Sequence, residues 1–478
     1  MATRDFSNYF LYRWRYVIGY VFIALLLSAL LFFAGLYLPG GLSQAEMTSV
    51  VRSAALSMSD PSTLAVPNLP YYGLQSGIFA LFGVTLFTIK LPSLILALLS
   101  ALGFILLLRR WFKPNIAVLT SLIVITTGQF LFIAQSGTPS ILYVFWPVLL
   151  LLLGTQVTRV KKYRFLWKIL FATTAALSLY TPLAIYPLIA VVLAIVFHPH
   201  LRNVVRRLSK VRLTAVVLIF LALIAPLVWL IVQTPQLGLT LIGITKDALP
   251  IDLGENILTI LRQYFLFWNP SVTEVMTPVF GLGSAILITL GLYRLFRTRE
   301  TTRSYLIIFW IICLLPVLLI NPMFTTVTFV PSMLMLAAGL TSLISYWYRL
   351  FPLNPYARIS GLIPIVILVG ALIATGVARY VYGYHYSPQV STLFSTDLSL
   401  LPKDTTQIVV SEKEYPFYSA IGDFREDINP VKSPSADTIV VTRDARSQVG
   451  DGFEVTRIIT SGSSQTADRL YVMQRVQE

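Results

Sequence analysis

Charged residues are scarce in this chain. Only 12% of its 478 residues are Asp, Glu, Lys or Arg, while 56% are hydrophobic and the mean hydropathy is +0.76. Soluble globular domains carry about 25% charged residues. Such a shortage of charge excludes an ordinary soluble domain and indicates an integral membrane protein.

Cysteine and histidine are nearly absent as well. Cys313 is the single cysteine and lies in a long apolar run, so an intramolecular disulfide is excluded. His198 and His200 lie among basic residues, and we interpret them as a solvated pair rather than as metal ligands.

Apolar runs of about 18 residues or more recur through the first four fifths of the chain, and each is long enough to cross a bilayer. The pattern predicts about eleven transmembrane helices. The fifth and sixth are short and flank a break at Tyr180, Thr181 and Pro182, so the count is uncertain by one. The predicted spans are 17–38, 88–107, 115–133, 139–156, 166–180, 182–197, 213–233, 278–294, 304–320, 327–347 and 359–380.

The basic residues predict the orientation, because loops rich in Lys and Arg stay in the cytoplasm. Clusters of Lys and Arg occur at alternate connections, as at 109–113, 159–168, 202–212 and 294–303. The intervening connections hold only Arg52, Lys90, Lys246 and Arg262. We therefore expect a multi-pass protein of the cytoplasmic membrane with its N-terminus inside. The net charge of +15 reflects this topology, and no nucleic-acid partner is expected, because the basic residues never form one patch.

Acidic residues are few outside the C-terminal part, and no predicted span has an ionisable residue at its centre. Proton-coupled or ion-coupled transporters need such groups at membrane depth, so this class is disfavoured. The acids on the predicted outer side all lie in two long loops, at about 39–89 and 234–277. They are Glu46, Asp60, Asp247, Asp252, Glu255 and Glu274.

The two long outer loops contain helical patterns. Residues 43–58 predict an amphipathic helix on the membrane surface, with Glu46, Ser49 and Ser53 on one face. Residues 71–82 predict a second interfacial helix or the outer half of a span. In the other loop, Ile257, Ile260, Leu261, Tyr264 and Trp268 form one helical stripe, and Asn269-Pro270 ends the helix.

The composition changes near the C-terminus, where 13 of the 21 acidic residues lie beyond residue 395. Strands are predicted at 407–410, 438–442, 453–459 and 470–476, with a helix at 415–422. We therefore divide the chain into a transmembrane domain, residues 1–386, and a small extracytoplasmic α/β domain, residues 387–478.

Several short motifs occur in order along the chain: Gly41-Leu42-Ser43-Gln44-Ala45-Glu46, Pro70-Tyr71-Tyr72, Lys90-Leu91-Pro92-Ser93, Arg109-Arg110-Trp111-Phe112 and Tyr180-Thr181-Pro182. Together they resemble the GT-C superfamily of glycosyltransferases that use polyprenyl-phosphate sugars. The bacterial relatives of protein O-mannosyltransferase and of the lipid A aminoarabinose transferase are the most similar branches. The resemblance implies a membrane-embedded helical fold with interfacial helices in the outer loops.

The sequence also departs from that family. Ala45 replaces the first acid of its Asp-Glu pair, Pro139-Ser140 replaces a Pro-Asp, and the 321–331 segment lacks the usual His and Arg or Tyr. No metal ligand is assigned and no cofactor is expected, because no acidic pair remains to hold a divalent metal. A metal nevertheless stays compatible with the chemistry.

The resemblance implies roles for particular residues. Glu46 is the candidate general base, and Lys246, Arg262 and Arg52 are candidates for binding the donor phosphate. Tyr71, Tyr72, Tyr180 and Trp268 are candidate substrate-binding residues. The alternatives are a solvated Glu46, cations that snorkel to lipid headgroups, and aromatic residues that anchor the membrane interface.

The resemblance therefore implies an inverting glycosyltransferase that moves a sugar from a polyprenyl-phosphate donor to a lipid, glycan or protein acceptor outside the cytoplasmic membrane. Its expected partners are the lipid-linked sugar and membrane lipid, and the sequence predicts no particular protein partner. Two alternatives remain: a catalytically inactive GT-C-like scaffold or lipid-binding subunit, and a lipid or glycan flippase.

Overall fold

The structure is a computed structural model with side chains. It describes residues 14, 17–18, 20–21, 23–29, 41–57, 59–159, 163–206, 210–245, 251–268, 271–272, 276–350, 356, 360–385, 393–394, 396–402, 407–425, 428–450, 452–460 and 469–476. Within the first predicted span, residues 23–29 are helical, and Ile23 and Leu27 are buried. The predicted domain boundary at 386/387 lies outside the described residues.

Helices predominate among the described residues up to position 380. In chain order they are α1 (Gln44–Ala54), α2 (Leu69–Phe82), α3 (Leu86–Trp111), α4 (Pro114–Thr126), α5 (Gly128–Gln135), α6 (Leu142–Arg159), α7 (Arg164–Ser178), α8 (Ile185–Phe197), α9 (Pro199–Arg206), α10 (Lys210–Gln233), α11 (Pro235–Ile242), α12 (Leu253–Phe265), α13 (Leu282–Arg297), α14 (Thr302–Ile320), α15 (Phe329–Leu350) and α16 (Leu362–Tyr380). Short 3₁₀ helices at Pro61–Leu64, Pro139–Ile141 and Thr325–Thr328 join them.

Six helices in the described part are long and apolar enough to cross a membrane, or up to eight if two bent pairs are each one span. They confirm the predicted polytopic helical class, while the count of eleven stays a prediction. The six are Leu86–Trp111, Pro139–Arg159, Lys210–Gln233, Thr302–Ile320, Thr325–Leu350 and Ile363–Gly383.

The third predicted span, 115–133, is wrong as one continuous helix. It is divided into α4 and α5, which meet at 57°. Thr127, between them, has extended backbone angles, and α16 crosses at this point. A Cβ on Gly376 of α16 would lie 2.3 Å from the carbonyl oxygen of Thr126, so glycine permits a close approach at the bend.

The predicted interruption between the fifth and sixth spans is confirmed. Helix α7 ends at Ser178 and α8 begins at Ile185, and the segment between them contains Leu183 with a positive φ of 63°. The expected solvated histidine pair is wrong in part. His198 is 8% exposed, and its Nε2 lies 3.0 Å from the carbonyl oxygen of Glu300.

The four strands and the helix predicted for the C-terminal part are present, and a fifth strand completes a mixed sheet. After a short hairpin of β1 (Ser271–Val272) and β2 (Met276–Thr277), the elements are β3 (Ile408–Val409), α17 (Tyr415–Gly422), β4 (Pro430–Val431), β5 (Thr438–Thr442), β6 (Phe453–Thr460) and β7 (Arg469–Arg475). The strand order is β4-β3-β5-β7-β6; β3 pairs in parallel with β4 and β5, and β7 pairs antiparallel with β5 and β6. The two-residue strand β4 has no recognisable sequence pattern and was not predicted.

The sheet domain packs on the first long loop. One buried apolar cluster joins Val50 of α1 and Phe79 of α2 to Phe417 and Ile421 of α17. Phe79 and Phe424 meet edge to face, with ring centroids 5.8 Å apart. The main chain adds a bridge, in which the Leu42 amide donates to the Thr396 carbonyl at 2.7 Å. Helix α1 therefore lies between the helical bundle and the sheet domain.

Candidate functional site at the loop end of the bundle

Glu46 lies in the first turn of α1 and is fully buried, with 0% of its surface exposed. It closes a capping box: its Oε2 accepts from the Ser43 amide at 2.9 Å, and its own amide donates to the Ser43 hydroxyl at 3.3 Å. Its Oε1 accepts from the Gly137 amide at 2.7 Å. The alternative of a solvated Glu46 is therefore wrong.

Lys90 supplies the charge that balances Glu46. Its Nζ lies 3.8 Å from Glu46 Oε1, and its side chain is 5% exposed. The same ammonium group lies 5.9 Å from the ring centroid of Phe394. Sequence reasoning placed Lys90 in a motif and missed its pairing, because the partners are far apart in the chain.

Gly137 is needed where the chain passes Glu46. A Cβ at this position would lie 2.8 Å from Ile89 Cγ2 and 3.3 Å from Glu46 Oε1. Only glycine therefore lets the Gly137 amide approach the carboxylate.

Gln75 of α2 links three elements from a fully buried position. Its Oε1 accepts from the hydroxyls of Ser49 at 2.8 Å and Ser53 at 2.6 Å, and its Nε2 donates to the Ile89 carbonyl at 2.9 Å. The polar face predicted for α1 therefore points into the protein. The helix itself is shorter than the predicted 43–58.

Tyr71 is also a buried structural contact, with 0% of its surface exposed. Its hydroxyl lies 2.8 Å from Ser93 Oγ, and Ser93 donates to the Thr138 carbonyl at 3.1 Å. The Thr138 hydroxyl donates to Ser140 Oγ at 3.1 Å and lies 2.8 Å from Ser136 Oγ. A short chain of hydroxyl groups thus occupies the segment where an acid was expected from the resemblance.

Arg52 of α1 and Tyr72 of α2 form a polar contact within the first long loop. Arg52 Nη1 donates to the Tyr72 hydroxyl at 3.3 Å, and Arg52 is exposed whereas Tyr72 is 3% exposed. Burial raises the pKa of Tyr72, while Arg52 opposes that shift. The structure thus brings two predicted binding residues together and leaves the guanidinium group accessible.

Tyr143 extends this contact toward the second loop, and sequence reasoning missed it. It is close enough to Tyr72 for an electrostatic interaction, and its ring centroid lies 6.4 Å from that of Phe324. Phe324 precedes the turn in which Thr328 Oγ1 lies 2.7 Å from the Tyr264 hydroxyl of α12. A line of aromatic residues therefore connects the two long loops.

Tyr180 and the residues that follow it contact both long loops. Its carbonyl accepts from the Asn68 amide at 2.8 Å, just before α2, and the nearby Leu183 amide donates to the Leu241 carbonyl of α11 at 2.8 Å. Its own hydroxyl donates to the Leu223 carbonyl at 3.0 Å. With 7% of its surface exposed, Tyr180 is packed against α10.

Helix α12 confirms the helix predicted in the second loop, but it ends at Phe265, so Trp268 lies beyond it. The predicted stripe is divided: Tyr264 faces the protein, while Ile257 and Leu261 are exposed. Arg262 and Trp268 are also exposed, the latter 88%. The predicted phosphate ligand Lys246 lies outside the described residues.

An apolar groove of about 490 Å³ begins where α12 ends. Phe265 and Phe267 line its upper part, and one face of α13 forms its wall. That face runs from Leu282 to Tyr293 along the length of the helix. The groove is open to the surroundings of the bundle, and its lining is almost entirely apolar.

Two exposed carboxylates at this end serve as helix caps. Asp60 Oδ1 accepts from the Ser62 hydroxyl and amide, and these bonds lower the pKa of Asp60. Asp252 Oδ1 accepts from the Gly254 and Glu255 amides at 2.9 and 3.0 Å. Among the described residues, no three His, Cys, Asp or Glu side chains come together as a metal site.

The comparisons with known proteins agree with this architecture. The family model for dolichyl-phosphate-mannose-protein mannosyltransferase matches residues 67–229. Helix α1, with Glu46 and Arg52, lies outside the matched range. Among curated protein sequences, none matches the chain.

Solved structures share the fold at low sequence identity. ArnT from Cupriavidus metallidurans, bound to undecaprenyl phosphate, is 13% identical with a TM-score of 0.55, and the match covers 96% of this chain and 98% of ArnT. The archaeal oligosaccharyltransferase AglB from Archaeoglobus fulgidus, in complex with an inhibitory peptide and a dolichol-phosphate, is 13% identical with a TM-score of 0.53. That match covers 91% of this chain and 70% of AglB. The predicted fold, a polytopic helical bundle followed by a small C-terminal sheet domain, is confirmed and is the fold that these structures share.

Proposed function

We propose that the protein is a membrane glycosyltransferase that transfers a sugar from a polyprenyl-phosphate donor to a lipid, glycan or protein acceptor. Its site lies at the loop end of the bundle, on the outer side of the cytoplasmic membrane. The observation that carries the proposal is the fold shared over nearly the full length with a protein solved bound to undecaprenyl phosphate.

The chemistry sets what the site must supply. An acceptor hydroxyl oxygen bonds to the anomeric carbon, the bond from that carbon to the phosphate oxygen breaks, and the polyprenyl phosphate leaves with the electron pair. A base takes the acceptor proton, and cations stabilise the leaving phosphate. Arg52 and Arg262 are the exposed candidate cations in the described part of the two loops, and Lys246 is the third candidate.

The lipid tail of the donor fits the groove beside α13. Arg262 lies one helical turn before Phe265 at the head of this groove, so a phosphate held by Arg262 leaves the tail close to an apolar path. Exposed Trp268 provides a surface on which the tail or the sugar can stack. Tyr72 orients Arg52 through its hydroxyl group.

The role of Glu46 as the base is part of this proposal, and its contacts define a second role. A carboxylate that accepts from Ser43 and Gly137 and pairs with Lys90 is held in place as an anchor of α1. To act as the base, the Glu46 carboxylate must give up one of these partners and accept a hydrogen bond from the acceptor hydroxyl instead. The anchor role is favoured by the complete burial of the side chain.

A scaffold without transferase activity is the second candidate function. It is favoured by the buried Glu46 and by Ala45 and Ser140, which replace two acids. Such a scaffold still binds a polyprenyl phosphate in the groove but transfers no sugar from it.

The test is a transfer assay on the full chain in proteoliposomes, with a polyprenyl-phosphate donor labelled in the sugar and a mixed pool of membrane acceptors. We expect release of label from the donor by the wild-type protein and at least a tenfold increase in KM for Arg262→Gln. Arg202→Gln, an exposed arginine on α9, is the matched control and keeps the wild-type KM. If the wild-type protein binds the donor but releases no label from it, the protein is the scaffold without transferase activity.

The groove has its own test. Ile286→Trp fills it from an exposed position on α13, whereas Ile312→Trp adds the same bulk to an exposed position on α14. We expect Ile286→Trp to raise KM for a long-chain donor and to leave KM for a short-chain donor unchanged. If the two substitutions change KM for the long-chain donor equally, the groove does not bind the lipid tail.

A further inference from the structure

Four arginines from four helices interact at the end of the bundle opposite the loop end. Arg159 ends α6, Arg294 lies in the last turn of α13, Arg303 in the first turn of α14 and Arg349 in the last turn of α15. Arg303 interacts electrostatically with Arg294 and Arg159, and Arg294 interacts with Arg349. We call these four residues the arginine chain.

Two members of the arginine chain bind the carboxyl end of α3. Arg159 Nη1 donates to the Arg110 carbonyl at 2.5 Å, and Arg303 Nη1 donates to the Trp111 carbonyl. Arg303 also lies over the ring of Phe112, 5.1 Å from its centroid. The last carbonyls of a helix carry a partial negative charge equivalent to about half an electron, so α3 balances only a small part of four full positive charges.

Within the described part of the chain, no carboxylate lies within ion-pair distance of these four arginines, and the exposed Glu300 between α13 and α14 does not pair with any of them. The ion pairs found there are Lys90 with Glu46 at the loop end, and Lys432 with Glu412 and Arg475 with Asp437 in the sheet domain. Arg294 and Arg303 are half-buried, so water screens their mutual repulsion less than it does for fully exposed arginines. An anion at this point relieves the repulsion of all four side chains at once.

The surroundings indicate a lipid as the source of this anion. Phe296, two residues after Arg294, is 57% exposed, and Tyr346, one turn before Arg349, is 61% exposed. A free phosphate leaves these apolar surfaces uncovered, whereas the acyl chains of a phospholipid cover them. Guanidinium groups bind phosphate through paired hydrogen bonds, and basic pockets between helices at the cytoplasmic face bind anionic headgroups.

We propose that the arginine chain is a binding site for the phosphate headgroup of an anionic phospholipid in the leaflet at this end of the bundle. The site is separate from the donor site, which lies at the other end of α3. Its predicted leaflet is the cytoplasmic one, where such lipids supply the negative charge.

The experiment compares binding of phosphatidylglycerol and phosphatidylcholine to the purified full chain by native mass spectrometry and by the shift in melting temperature. The variant is Arg294→Gln with Arg349→Gln, because Arg159 and Arg303 then still cap α3. At about one kcal/mol for each arginine near a membrane surface, binding of phosphatidylglycerol should weaken roughly thirtyfold. Arg202→Gln with Arg206→Gln, on the exposed helix α9, is the matched control and keeps wild-type binding.

Two results would overturn the proposal. One is equal retention of phosphatidylglycerol by the wild type and by the arginine-chain variant. The other is equal stabilisation of the wild type by inorganic phosphate, which assigns the site to a soluble anion. If the double variant fails to fold, the wild type still decides: equal melting shifts with phosphatidylglycerol and phosphatidylcholine contradict an anionic lipid site.

Discussion

Glu46 and Lys90 form a buried ion pair, with Oε1 and Nζ 3.8 Å apart in side chains that are 0% and 5% exposed. The pair joins the start of α1 to the first turns of α3, and the Gly137 amide binds the same carboxylate oxygen. The resemblance implies a catalytic role for Glu46. In the structure, the same residue lies at the centre of the packing between the first long loop and the bundle. Replacing both Glu46 and Lys90 separates the effect on the stability of the protein from the effect on sugar transfer.

Removing the charge of Glu46 should destabilise the protein. Glu46→Gln leaves Lys90 charged and buried without its partner, which costs about 3–5 kcal/mol in the free energy of unfolding. Adding Lys90→Met removes the stranded charge and should recover most of that loss, because a buried ion pair can be replaced by apolar groups of similar volume. Urea unfolding of the purified variants measures both changes.

The same two variants separate the roles of Glu46 in sugar transfer. If Glu46 is an anchor, the double variant regains both stability and turnover. If Glu46 is the base, the double variant regains stability while transfer stays abolished, because no carboxylate remains at this position.

Gly137→Ala should distort the Glu46 site by overpacking. The new methyl group would lie 2.8 Å from Ile89 Cγ2, and such clashes cost about 1–3 kcal/mol. Gly73→Ala is the control, since a Cβ on Gly73 meets no atom within 4 Å and alanine favours the helix. Melting temperatures should fall for the first variant and stay level or rise for the second, and equal shifts would contradict the packing argument.

The sequence predicts the helical class, most helix positions and four of the five strands of the C-terminal sheet because these depend on local patterns. Long apolar runs mark α3 and α10, and short apolar runs mark β5 and β7. The bend between α4 and α5 escaped prediction, and the close approach that Gly376 permits at the bend comes from a helix far along the chain. Short-range patterns contain no information about such contacts.

The candidate site was predicted less well, for the same reason. The pattern of α1 separates a polar from an apolar face, but it does not reveal that Gln75 buries the polar one. Tyr143 and Lys90 owe their roles to partners from other helices. Arg52 and Tyr72 were both predicted as binding residues, and their contact emerged only from the packing of α1 on α2.

Gln75→Leu should loosen α1 from the bundle. The substitution leaves the hydroxyls of Ser49 and Ser53 without their acceptor in a buried position, at about 1–3 kcal/mol for each group. Hydrogen exchange of the amides in 44–54 should therefore accelerate. Gln44→Leu, an exposed position on the same helix, should leave exchange unchanged. Unaltered exchange in Gln75→Leu would show that apolar packing alone holds α1.

Phe79→Ala should release the sheet domain from the first long loop. Phe79 is 1% exposed and packs on Phe424, in the cluster that contains Phe417 and Ile421 of α17. Truncating a buried phenylalanine costs about 3–5 kcal/mol, and here the cavity opens between the two parts of the molecule. Limited proteolysis should therefore cleave Phe79→Ala faster near 386–407, while Phe82→Ala, at a position 67% exposed, keeps the wild-type rate. Equal rates for the two variants would mean that the main-chain bridge between Leu42 and Thr396 is enough to hold the domains together.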